Sequence, residues 1–177
     1  MRRIYESAAV RRDDDDPFRP NERRDSPAPT AARTVPVRRL SDTLVPAWLR
    51  YRAVSLSVST PRTVYDAGEP IPFTVAMKNA APFPITVPTR SPLPWAWYVD
   101  GARSASRVPE PLPERSGAFV FDRGERKVFD RTWNGTFRVS DSEWKPAAPG
   151  DYTISAAIDV ADPSQKGVHD RTTVRIE

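Results

Sequence analysis

One imidazole and many scattered carboxylates and hydroxyls are the raw material for chemistry in this sequence. His169 is the single histidine of 177 residues and stands in the run Val168-His169-Asp170-Arg171. An imidazole titrates close to neutral pH and suits proton transfer or metal ligation, but either role needs partners. No second histidine is available for a metal, and the chain has no cysteine, which excludes disulfides, thiolate metal sites and cysteine nucleophiles. A serine nucleophile on a strand-to-helix elbow would read G-x-S-x-G, and that pattern is absent. The seven glycines are nowhere spaced as the phosphate-cradling GxGxxG or GxxxxGK. The expectation is a protein that is not an enzyme, with no catalytic residue and no cofactor.

The acidic residues give no better site. Asp13–Asp16 form a continuous run in a segment without the fixed oxygen geometry that calcium needs. Asp141, Glu143, Asp159 and Asp162 follow no repeated acidic-loop pattern. Solvated charge explains both groups, and no metal is expected.

Binding is the chemistry that remains. Trp144 sits between Glu143 and Lys145 in the polar stretch SDSEWKPAAPGDY, where no alternation buries it. Exposed tryptophans flanked by charge suit an interface, because binding hot spots favour Trp, Tyr and Arg. Trp144 with Asp141, Glu143 and Lys145 is therefore one candidate contact for a protein partner; the other reading of Trp144 is a loop tryptophan folded back over the sandwich edge. The Pro-rich edge around Phe83 and Pro84 is a second candidate contact.

The elements that must hold these residues follow from charge and periodicity. Residues 1–52 carry 12 Arg against 8 Asp and Glu, whereas the remainder carries 15 residues of each sign. The basic excess thus belongs to the leading segment. Residues 1–45 mix Arg, Asp and Pro with few large apolar residues, a composition that cannot bury enough surface to offset chain entropy and reads as a disordered tail. Its ten arginines could contact phosphates, but eight acids in the same stretch oppose this, and nucleic-acid binding is the weaker reading. The start, MRRIYESAAVRRDDDD, lacks the apolar run of a secretory leader, and no stretch approaches the roughly 18 apolar residues of a membrane span. A cytoplasmic location and no membrane contact are expected. LVPAWLRYR (44–52) reads as a hinge whose Trp48 docks on the body.

From Ala53 onward the apolar period is two. Val54, Leu56 and Val58 share a face, as do Ile71, Phe73, Val75 and Met77; Phe83, Ile85 and Val87; and Trp95, Trp97 and Val99. AFVFDRG, RKVFDRTW, DYTISAAIDV and RTTVRIE extend the series to about eight short strands, separated by Pro, Gly, Asn and Asp. The fold class is all-β, an immunoglobulin-like antiparallel sandwich over residues 46–177. Prolines 70, 72, 82, 84 and 88 place their strands at edges or delay their starts, since Pro cannot donate to a ladder. Asn134-Gly135, between two alternating runs, matches a tight hairpin. Asn134-Gly135-Thr136 also fits a glycosylation acceptor, but the turn reading is preferred in a chain without a leader.

Three motifs in order, WAWYVDG, GERKVFDRTWNG and APGDYTISAAI, resemble the BsuPI-type intracellular proteinase-inhibitor domain, and more closely a group of haloarchaeal proteins with the same order. The resemblance covers roughly residues 53–177. It implies the immunoglobulin-like fold, and it implies inhibition of an intracellular serine protease as an alternative to a general protein-interaction role. Asp141-Ser142-Glu143-Trp144 lengthens one loop relative to that pattern. The sequence leaves the partner and the oligomeric state open.

Overall fold

A computed structural model of the protein describes residues 45–177. The expectations for the leading tail, including the Asp13–Asp16 run, concern residues outside this range. Twelve strands and one short helix make up the described residues. The helix, α1 (Ala47–Arg52), precedes β1 (Val54–Ser59). This corrects the hinge expected there: after Pro46, whose carbonyl accepts from the Leu49 and Arg50 N–H groups, the chain winds instead of extending. Trp48 lines a shallow surface groove beside Gln165 and Lys166 and stays 62% exposed, short of the docking expected.

Strand order identifies the architecture. In the first sheet β1, β3 (Ile71–Asn79) and β8 (Arg126–Trp133) lie in the order β1-β3-β8, all antiparallel. The second sheet runs β2-β12-β11-β5-β6, with β2 at Val64–Tyr65, β12 at His169–Ile176, β11 at Gly150–Ile158, β5 at Trp95–Val99 and β6 at Ala102–Arg103. Two ribbons complete the fold: β4 (Ile85–Thr89) with β7 (Gly117–Phe121), and β9 (Thr136–Arg138) with β10 (Trp144–Pro146). The protein is an immunoglobulin-like β-sandwich. Its first strand is split between the sheets. After Ser59 the Thr60-Pro61 step breaks the ladder, and β2 joins the second sheet parallel to β12. Beyond β2, the Glu69 carboxylate accepts from Arg62 and from the Asp66 N–H. Those two bonds, the arginine's first, hold its pKa below the ordinary carboxylate value.

The period-two faces meet between the sheets. Val54, Val58, Ile71, Phe73, Val75 and Met77 are buried, and so are Ile154, Ala156 and Ile158 of β11. Trp95 and Trp97 turn inward, where Trp97 packs on Phe73 at 5.2 Å between ring centroids and Trp95 on Phe129 at 4.7 Å. Tilted pairs at this range suit the ring quadrupoles. Pro72 lies in the central strand of the first sheet, but β1 reaches only to the Ser59–Thr74 pair. Its missing N–H therefore falls beyond the end of β1 and costs no ladder bond.

Two loops differ from the sequence expectation. Asn134-Gly135 does not close a hairpin: β8 pairs with β3 and β9 with β10, and of the two turn residues only Gly135 has positive φ, at 64°. Here the chain leaves the first sheet. The two-residue hairpin with both central φ values positive lies instead at Asp100 (46°) and Gly101 (81°), between β5 and β6. The segment SDSEWKPAAPGDY, expected as one loop, contains β10.

A polar residue closes one end of the sandwich. Asn79 continues the inward parity of Ile71 to Met77 and is fully buried. Its Nδ2 donates to the Phe83 and Asp122 carbonyls, each at 2.9 Å, and its Oδ1 accepts from the Ala81 N–H at 2.8 Å. One amide thus ties the end of β3 to the start of β4 and to the β7–β8 turn. Asn79→Ala removes three hydrogen bonds to part-buried backbone groups and leaves a buried cavity, at about 0.5–1.5 kcal/mol for each bond lost. Urea unfolding is expected to show a loss of at least about 2 kcal/mol; a loss below about 0.5 kcal/mol would mean that water or local rearrangement replaces the amide.

Candidate functional site

The hairpin β9–β10 grows out of the opposite end of the sandwich, and its foundation is Trp133. This indole ends β8, is 2% exposed, and donates from Nε1 to the Thr136 carbonyl at 2.8 Å. Phe137 of β9 stands 5.4 Å from its ring and Tyr152 of β11 stands 5.1 Å away, both edge-on. Tyr152 in turn donates its hydroxyl to the Ala148 carbonyl at 2.7 Å, fixing the return of the chain after β10. The first sheet, the second sheet and the hairpin therefore meet on one aromatic cluster.

On that base, β9 and β10 pair with Trp144 opposite Arg138, Lys145 opposite Phe137 and Pro146 opposite Thr136. The loop between them is closed by Val139 N–H donating to the Glu143 carbonyl at 2.9 Å. On its other side β9 is bound to the segment after β6: Arg138 N–H donates to the Ala105 carbonyl at 3.0 Å, and Arg107 N–H donates to the Arg138 carbonyl at 2.8 Å. This makes β10 the outer strand. It is three residues long and carries Lys145 and Pro146, two features that discourage open-ended pairing of an edge. Trp144 is 55% exposed and stacks on no aromatic ring among the described residues.

Charges on the hairpin arrange around Arg138. Its Nη1 meets Glu110 at 2.8 Å, its Nη2 meets Asp141 at 3.2 Å, and its Nε donates to the Ser140 carbonyl at 3.3 Å. Lys145 reaches Glu143 at 3.5 Å. Exposed pairs of this kind contribute roughly 0–1 kcal/mol; they orient the loop around Trp144 more than they stabilise the fold.

Of the residues singled out in the sequence, Asp141, Glu143, Trp144 and Lys145 share this hairpin. Phe83 and Pro84 do not join them. They follow the far end of β3, a strand that spans roughly 26 Å at about 3.3 Å per residue. There Phe83 lines an apolar groove of about 300 Å³ with Leu49, Ala81 and Pro82. Among the described residues no three His, Cys, Asp or Glu side chains gather as a metal site. Asp159, grouped with Asp141 in the sequence reading, instead accepts from the Ser91 hydroxyl at 2.6 Å. His169 opens β12 opposite Ala157. No helix among the described residues is long and apolar enough to cross a membrane.

Sequence reasoning passed over two arginines at this end. Arg103 and Arg107 flank a turn whose central residues, Ser104 and Ala105, have φ of 50° and 55°. Non-glycine residues there cost about 1–3 kcal/mol each and persist where the surroundings impose them. The signal available was RSASR, two arginines four apart with no acid between them.

With this geometry in place, comparison with known proteins assigns the family. Residues 42–177 match a family of unknown function, DUF7974. The chain belongs to DUF7974. No curated protein matches it. Among solved structures, the chain is similar to the solution structure of the CARDB domain of PF1109 from Pyrococcus furiosus, at 15% identity and TM-score 0.45, covering 70% of this chain and 94% of that one. The crystal structure of the same domain in complex with di-metal ions matches at 16% identity and TM-score 0.43, over 70% and 91% of the two chains. The alkylpurine DNA glycosylase AlkC of Pseudomonas fluorescens, bound to abasic-site DNA, matches at 14% identity and TM-score 0.41, over 71% of this chain and 30% of that one.

The two tryptophans of this region should separate in their effects on stability. Trp133→Ala removes the shared anchor and is expected to cost about 3–5 kcal/mol in denaturant unfolding. Trp144→Ala is expected to stay within about 0.5 kcal/mol of the parent. A comparable loss from Trp144→Ala would make that side chain part of the packing and not a free surface.

Proposed function

We propose that this DUF7974 protein is a non-enzymatic protein-docking module whose contact is the β9–β10 hairpin around Trp144. The observation that carries this reading is a tryptophan more than half exposed on a short hairpin that is itself anchored to the core through Trp133. A large apolar side chain in water gains nothing for the fold, whereas transfer into a partner's pocket is favourable at about 25 cal/mol per Å² of apolar area. The surrounding Asp141, Glu143 and Lys145 form a polar rim of the kind that surrounds a hot spot. Phe83 and Pro84, at the far end, would serve a separate contact.

A second reading, inhibition of an intracellular serine protease, is favoured by the order of the BsuPI-like motifs. Those motifs occupy β5, β8 and β11. The hairpin that lengthens this chain relative to the pattern would then be the element presented to the protease.

Both readings meet in one experiment. Tagged full-length protein and its Trp144→Ala variant are used for affinity capture from lysate, and the same two proteins are titrated against subtilisin-like proteases. A partner that binds the parent and is weakened at least tenfold by the variant supports docking at the hairpin. Protease activity lost in proportion to added parent, and spared by the variant, selects the inhibitor reading. Partners captured equally by both proteins would place the contact elsewhere.

A further inference from the structure

Beside the hairpin lies a groove of about 280 Å³ lined by Tyr98, Arg103, Arg107, Glu110 and Leu112 among others. We propose that it is a binding site for an oxyanion, a carboxylate or phosphate group, gripped by Arg103 and Arg107. The proposal stands apart from protein docking, because a small free anion would satisfy it.

Backbone geometry brings the two guanidinium groups to one groove. Arg103 of β6 is the cross-strand partner of Tyr98 in β5. Directly opposed residues share a face with Cβ atoms about 5 Å apart, so phenol and guanidinium stand side by side. Trp97, one residue earlier, packs inward on Phe73, which leaves Tyr98 facing outward. The chain then reverses through Ser104 and Ala105, and Ser106 N–H donates back to the Arg103 carbonyl at 2.8 Å. Arg107 emerges on the other side of this turn. Bonds from Ser104 N–H to the Trp97 carbonyl and from Arg107 N–H to the Arg138 carbonyl fasten the turn to β5 on one side and to β9 on the other. The left-handed backbone at Ser104 and Ala105 is thus spent on placing two arginines across a groove.

Electrostatics leave those arginines available. Among the described residues neither Arg103 nor Arg107 meets a carboxylate. The one acid in the groove wall, Glu110, is held by Arg138 at 2.8 Å. The Arg107 guanidinium carbon lies 4.5 Å from the Phe137 ring centroid; stacking of this kind fixes the plane and leaves the N–H edge free. Planar forks of N–H donors match the paired oxygens of carboxylates and phosphates. The Tyr98 hydroxyl, which has no hydrogen-bond partner among the described residues, adds a further donor.

The test is an NMR titration of the full-length protein with inorganic phosphate in one arm and succinate in the other, at ionic strength held constant with sodium chloride. Saturable shifts at the Arg103 and Arg107 side-chain Nε–H signals are expected in at least one arm. The arm that saturates at lower concentration tells phosphate from carboxylate as the preferred group. The double variant Arg103→Gln/Arg107→Gln is expected to weaken binding about tenfold or more. Tyr98→Phe, which removes one hydroxyl and keeps the ring, serves as a milder second variant and is expected to weaken it less. Arg123→Gln, on the β7–β8 turn, is expected to leave it unchanged. Shifts that rise linearly without saturation in both arms, or saturable binding that the double variant and Tyr98→Phe both retain in full, would overturn the assignment.

Discussion

A single buried indole carries the end of the sandwich on which function is placed. Trp133 belongs to the first sheet by its backbone, packs on Tyr152 of the second sheet, and holds the β9–β10 hairpin through Phe137 and the Thr136 carbonyl. A hairpin whose outer strand has three residues cannot be stable by itself, since isolated hairpins are marginal in water. Here it borrows rigidity from the core. The same cluster reaches the arginine groove, because Phe137 supports the Arg107 guanidinium and β9 is bonded to residues 105 and 107. Trp144 and the two arginines therefore project from one braced corner.

The other end is closed by different chemistry. The buried Asn79 amide bonds three part-buried backbone groups from two further segments, so that end is held by hydrogen bonds where the Trp133 end is held by rings. Between the two, Trp95 and Trp97 fill the space between the sheets. Arg131 and Lys127 of β8, on the core-facing parity of the strand, lie over aromatic rings, Arg131 at 5.4 Å from the Trp95 ring and Lys127 at 5.4 Å from that of Phe121. Charges on the inner face of an outer strand also discourage edge-to-edge association.

The sandwich was legible because period two is a strong signal when one face is buried: the alternating runs became strands with most of the expected residues inside, whereas Phe83 falls before β4 and Leu56 is only partly buried. Asn79 was legible in principle: it sits on the buried parity of β3, where a polar side chain must find partners. Turn chemistry was harder to read. Asn134-Gly135 and Asp100-Gly101 carry similar local signals, but only the second joins neighbouring strands, and strand neighbours are settled by long-range pairing. The polar flanks of Trp144 left two readings, an exposed ring and one folded back over the sandwich edge, and the ring is 55% exposed. Its strand was not legible, since three residues are too few to show alternation. The packing of Trp48 was legible only in part, because the segment around it forms a helical turn that leaves the ring more exposed than buried beside Gln165 and Lys166. Arg103 and Arg107 escaped because their meaning depends on a turn with two left-handed residues that no glycine announces.

Contact at the hairpin, and not on the broad faces of the sheets, is checked most directly by site-specific photo-crosslinking in cells. One variant carries a benzophenone amino acid at position 142, exposed in the β9–β10 loop with Trp144 kept, and another carries it at position 128, an exposed site on the outer face of β8. Docking at the hairpin predicts a discrete crosslinked species from position 142 and none from position 128. Crosslinks from position 128 with none from position 142 would contradict it and move the contact to the first sheet.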